Sequence, residues 1–314
     1  MKATICTTAS LVMVFAGTVP AADSGLVNLV MPDAKVIAGV NVAQAKATPF
    51  GQYVLTLIAP HDQQLQALAA VTGFDPRQDV NELLVATNGG AGSDVGLALA
   101  RGTFNVSAIT NAATLAGSAT AAYMGITIVE TPDGKKGFAF LDSTLAIFGD
   151  VASVEGAIAR QPSSAQHLSS TVVSQINQLS GANDAWVLTT VPPASLQPSG
   201  AAPIVPGVNA QTLQQIQQIS AGVKFGANVT VTAQAQMDTA QDATTLAGML
   251  QLVANMAQMQ TQKAPELAVL AKSLTASASG STVTVTFSMP EAQIQQLAMS
   301  QQQHKVTKTV PKKQ

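Results

Sequence analysis

The chain has 314 residues, of which 47% are hydrophobic, 10% charged and 4% aromatic, with a formal net charge of −2. Charged residues normally make up about a quarter of a soluble domain, so Gln, Thr, Ser and Asn must occupy many of the solvent-facing positions. A near-neutral balance creates no strong field of either sign, which speaks against nucleic acid or acidic substrates as partners.

In chain order, MKATICTTASLVMVFAGTVPAADSG combines Lys2, an apolar run over 11–16, and the small residues Val19 and Ala21 before a cleavage point. This layout predicts a secretory signal peptide over 1–21, with the mature chain starting at Ala22. The apolar run is too short to span a bilayer. Cys6, the single cysteine, falls inside that segment. A mature chain without thiols excludes disulfides, thiolate metal sites and a cysteine nucleophile, and suits a bacterial periplasm or cell surface.

DAKVIAGVNV (33–42) then reads as a strand, and Leu55, Ile58, Leu65, Leu68 and Val71 recur at helical spacing. ELLVATNGGAGSDVGLALARGTF (82–104) gives two strands around a Gly-rich turn, and NVSAITNAATLAG (105–117) a helix with Asn105 at its N-cap. AAYMGITIVE, GFAF and STLAIFG follow as strands, and VASVEGAIAR (151–160) as a helix.

DAWVLTTVPP (184–193) repeats the Asp-Ala start, followed by a Pro/Gly linker over 198–208. The Gln-rich NAQTLQQIQQI (209–219) is expected to be helical. SAGVKFGANVTVTAQAQM (220–237) reads as two strands, and Thr239 to about Met259 as a long helix. LTASAS and STVTVTFSM are strands, and EAQIQQLAM (291–299) a last helix. The alternation in VTVTAQAQ and TVTVTFSM belongs to antiparallel sheet with one wet face.

The same element order thus occurs twice, predicting an α+β protein of two similar halves, 26–162 and 163–302, before a basic tail, 303–314. Each half is expected to be mainly antiparallel sheet with helices packed on one face. The first six elements of each match a ferredoxin-like βαββαβ order with an extra hairpin or helix. No segment after the signal peptide is apolar for long enough to cross a membrane.

Pro132-Asp133-Gly134 reads as a turn, Asp142-Ser143 as another, and Asp150 as a helix N-cap. A strand ending in that DG turn, then FLDSTLAIFGD, then VASVEGAI resembles a recurrent segment of uncharacterised exported bacterial proteins. It covers residues 121–160, with echoes around ELLVATNG and ALARGTF. The resemblance implies an envelope location and an α+β architecture. It brings no catalytic residues to transfer.

The search for chemistry returns mostly absences. His61, His167 and His304 lack a histidine or acidic partner at helical spacing, so no metal pair and no cofactor is expected. NGGAGSDVG (88–96) lacks the Gly-Lys-Ser/Thr ending of a phosphate loop and precedes a strand, so it reads as a hairpin loop. In FDPRQDVNE (74–82), helical spacing would align Asp75, Asp79 and Glu82; the competing reading is a short helix with Pro76 in its first turn.

Two functions remain. The first is a non-enzymatic envelope protein, a binding, scaffold or carrier module whose partner is another envelope protein, a polymer or a hydrophobic ligand. Its amide-rich faces suit polar polymers, and Met249, Leu252, Met256 and Met259 form a candidate apolar groove against a competing reading as core. The second is a cell-wall or polysaccharide hydrolase using paired carboxylates such as Glu130, Asp142 and Asp150.

Overall fold

The computed structural model describes residues 22–57, 62–89, 96–163, 166–192, 212, 214–259 and 271–296. The expected signal peptide, the Gly-rich stretch over 90–95, the linker over 198–208, His61, His304 and the basic tail lie outside these residues.

Asp23 caps α1 (Ser24–Val27) by accepting from the Gly25 amide. The segment then buries Leu26, Val27, Leu29, Val30 and Met31. β1 (Val36–Asn41) follows, then α2 (Val42–Lys46), α3 (Pro49–Leu57), α4 (Asp62–Thr72) and α5 (Pro76–Asp79). β2 (Val80–Thr87) and β3 (Leu97–Gly102) lead to α6 (Val106–Leu115), with Asn105 at its N-cap. The meander β4 (Ala119–Tyr123), β5 (Ile126–Glu130), β6 (Lys136–Asp142) and β7 (Leu145–Asp150) ends in α7 (Val151–Arg160). Beyond it come α8 (Ser170–Ala182), β8 (Ala185–Thr189), β9 (Ile216–Lys224), β10 (Asn228–Met237), α9 (Ala240–Met259), β11 (Leu274–Ser279) and β12 (Thr282–Pro290). Residues 291–296 are helical.

Among the described residues, twelve strands join one sheet in the order β11-β12-β10-β9-β8-β1-β2-β3-β7-β6-β5-β4. The strands of the two Asp-Ala segments, β1 and β8, pair at its centre, with Gly39 opposite Trp186. Outward from that pair, each side runs first, second and third strand, then the last strand of its meander or hairpin, then the strand before it. Every described pairing is antiparallel. A ferredoxin-like unit needs parallel strands joined by a crossover, so that part of the expectation is not confirmed.

Register shows which face is dry. Opposed residues share a face and neighbours along a strand alternate. Ile37, Leu84, Leu99, Ile147 and Leu188 therefore stand on one face, where they pack with Val154, Ala157 and Ile158 of α7 and Ile176 of α8. Following that face across β8 gives Leu188 opposite Ser220 and Ser220 opposite Gln234, so it turns polar. The apolar residues of the far strands, Ile219, Ala235, Val283 and Val285, lie on the opposite face under Ala243, Leu246 and Ala247 of α9. Over the whole sheet helices thus pack on both faces, α7 and α8 on one and α9 on the other, because its buried side changes between its two ends.

The end of the Gln-rich run is a second correction, since residues 212 and 214 are helical as expected but the helix does not continue. Ile216 and Ile219 have the three-residue spacing of a helix, yet both belong to β9. A register shift near Gln236–Met237 inserts an extra residue, Gln217, and puts both isoleucines on one side of the strand.

Candidate binding groove

The polar face at the second end of the sheet is built by strict alternation. Thr230, Thr232, Gln234 and Gln236 of β10 stand opposite Ser288, Thr286, Thr284 and Thr282 of β12, while the intervening Val, Ala and Phe residues face α9. α8 lies on the same side, and between it and the strands is a groove of about 450 Å³. Gln175, Gln178 and Asn183 line its helical wall, and Ser220, Thr230, Thr232 and Gln234 its floor.

Both ends of the groove are fixed. At one, the Gln175 and Gln218 amides bond each other at 2.7 and 3.3 Å. At the other, Lys224 Nζ meets Asp184 Oδ1 at 2.8 Å, and Asp184, wholly buried, also accepts from the Phe225 amide at 2.6 Å. Asn183 is held by a bond from Nδ2 to the Leu179 carbonyl, 2.8 Å. It lies over Gly222, where a β-carbon would stand 2.2 Å from its Cγ, so only glycine leaves the amide this position. Among the described residues, no side-chain hydrogen bond engages Gln178, Ser220, Thr232 or Gln234. The groove therefore offers neutral donors and acceptors, and its one cation is already countered.

The sequence-derived candidates lie elsewhere. Met249, Leu252, Met256 and Met259 form one stripe of α9, but on the side away from Ala243, Leu246, Ala247 and Ala254, which are buried. Leu252 is 60% exposed, Met256 50% and Met259 77%, while Met249 packs partly against the second core. They line no part of the polar groove.

Asp75, Asp142 and Asp150 hold backbone. Asp142 Oδ1 accepts from the Thr144 amide and hydroxyl, both at 2.6 Å, and the Thr144 bonds keep its carboxyl below the usual range. Asp150 caps α7 through the Ser153 amide, 3.0 Å, and also accepts from the Gly96 amide, 3.0 Å. Burial pushes its carboxyl up, but those bonds together outweigh it and hold it low. Glu130 stands on β5 opposite Gly137 and Ala119. Asp75 caps α5, with Pro76 at the first helical position, and pairs with Arg77 at 2.8 Å. Glu82 lies on β2, so Asp75, Asp79 and Glu82 share no helical face. No group of three or more acidic, histidine or cysteine side chains among the described residues could hold a metal ion.

The groove was missed in sequence because its wall and floor are about 50 residues apart and meet only through β8–β9 pairing. The one signal was the Thr/Gln alternation itself.

No family model and no curated protein matches the chain. Solved structures do. The chain is similar to TP0453 in crystal form III, with a TM-score of 0.54 at 9% identity over 87% of this chain and 97% of that one. Crystal form IV of TP0453 gives 0.51 at 10% identity over 87% and 95%. Identity this low shows a shared fold alone: an α+β protein with a large antiparallel sheet. Among the described residues, no helix is long and apolar enough to cross a membrane.

Proposed function

We propose that the protein is an exported, non-enzymatic binding module of a bacterial envelope, and that it holds a neutral, hydroxyl-rich polymer, a glycan chain, in the groove between α8 and β9–β10. One observation carries this reading. Unengaged amide and hydroxyl groups converge on one groove whose single cation is neutralised by a buried partner. Sugar hydroxyls both donate and accept, which amides and threonines match without a charge on either side. A charged ligand would meet no countercharge there.

The envelope location rests on the layout of residues 1–21 and on the resemblance over 121–160. The matching strand orders outward from β1 and β8 support two diverged copies of one unit, with β4–β5 as the added hairpin of the first. A scaffold role suits the local backbone bonds of Asp142 and Asp150, which leave the hydrolase reading without a carboxylate pair facing the groove.

Calorimetric titration of the mature protein with neutral oligosaccharides, charged oligosaccharides and extended peptides tests the proposal. Saturable heat from a neutral glycan alone, abolished in Gly222→Val, is the expected result. Binding that survives Gly222→Val, or that prefers charged ligands, would remove it.

A further inference from the structure

The residues just after the expected cleavage point are held by three different elements. The Ala22 nitrogen donates to Ser180 Oγ of α8 at 2.8 Å, and the Asp23 nitrogen to Glu82 Oε1 of β2 at 3.1 Å. The Asp23 carboxylate takes Arg101 Nε of β3 at 2.9 Å. Ser180 is buried and sends its own proton to the Ile176 carbonyl at 2.7 Å, which leaves its oxygen to accept from Ala22. Ala22 itself packs against the main core.

Glu82 is the unusual member. It is half-buried and lies directly across from Arg101 in the β2–β3 pair, yet the guanidinium turns to Asp23. The charges facing Glu82 are thus Asp23 and Arg101, which oppose one another. Burial accordingly pushes its carboxyl above the usual range, against the pull of the Asp23 amide. A half-buried carboxylate with no net cation beside it is poorly compensated.

We propose that hydrolysis after Ala21 turns the Ala22 nitrogen into an α-ammonium docked between Ser180 and Glu82, so that removal of the leader adds the missing cation to this socket. This rests on the export reading above. In the reaction a peptidase adds water across the Ala21–Ala22 bond; Ala21 departs as a carboxylate and Ala22 keeps an amine that is protonated at neutral pH. Consecutive backbone nitrogens are at most about 3.7 Å apart by bond lengths. The new charge therefore sits within about 7 Å of the carboxylate that already accepts from Asp23. It faces two anions, Glu82 and Asp23, and one cation, Arg101, so its own pKa rises while that of Glu82 falls.

The test compares the full chain starting at Ala22 with a free amine against the same chain acetylated there, by denaturant unfolding from about pH 6 to about pH 10. The free chain should be the more stable at the acid end. Its advantage should fade as pH climbs past the ordinary α-amino value of about 7.7–8.0 and through the raised folded value. Glu82→Gln should shrink that advantage. A readout without a variant is the acylation rate of the amine near pH 8, expected several-fold slower in the folded protein than in a short peptide of residues 22–25. Superimposable stability curves and peptide-like acylation would overturn the socket. The mass of the protein recovered from its own envelope should correspond to a chain starting at Ala22. A start elsewhere would overturn the processing step and the export reading while leaving the socket measurements intact.

Discussion

Trp186 lies across Gly39, its partner in the neighbouring strand, so closely that a β-carbon at position 39 would stand 2.6 Å from the indole. This contact sits at the centre of the sheet, and it packs the chain's only tryptophan against bare backbone. Gly39→Val should therefore overpack the junction and cost about 1–3 kcal/mol, read as a fall in denaturant midpoint with a red-shifted Trp186 emission. An unchanged midpoint would mean the indole is not held there.

The Asp184–Lys224 pair closes the groove and is asymmetric, since Asp184 is wholly buried and the Lys224 side chain is 36% exposed. Lys224→Ala leaves a buried carboxylate with only the Phe225 amide, so a loss of about 3 kcal/mol is expected, at the low end for a broken buried pair because water reaches the lysine side. Lys224→Arg should recover part of it. Chemical unfolding of the three proteins decides.

For α9, the orientation against the sheet makes a paired prediction. Leu246→Ala, in the second core, should cost about 2–4 kcal/mol. Met256→Ser, on the outward stripe, should change stability by no more than about 0.5 kcal/mol. Reversed costs would put the methionine stripe inward and revive it as core.

Asp150 contributes through its ionised form, since its folded pKa is lowered. That stability is complete above the unfolded value of about 3.9 and is lost as pH falls through the folded one. Asp150→Ala should cost about 1–2 kcal/mol at neutral pH, and the gap to the parent should narrow in strong acid. A gap independent of pH would mean that the carboxylate's charge plays no part in the cap.

Much of this architecture is legible along the chain. Asp150 and Asn105 announce their helices, Pro132-Asp133-Gly134 its turn with Gly134 at φ +68°, and the Thr/Val alternation its wet-faced strands. What hides is anything that depends on pairing. Ile216 and Ile219 look helical because a bulge, a property of two strands together, puts them on one side. Nothing in VTVTAQAQ alone says that its dry side is opposite to that of Leu188; only the register through Ser220 does. The orientation of the methionine stripe hides for a related reason. Small residues, Ala243, Ala247 and Ala254, lie with Leu246 on the buried side of α9, while Leu252, Met256 and Met259 stand outward.

The decisive measurement is a side-chain amide NMR titration of the mature protein with a neutral glycan. Saturable shifts confined to Gln175, Gln178, Asn183 and Gln234, absent in Gly222→Val, are what a polar sugar cleft between helix and sheet requires. Silent amides there, with methyl-group shifts instead at Leu252 and Met256 on adding an apolar ligand, would contradict it.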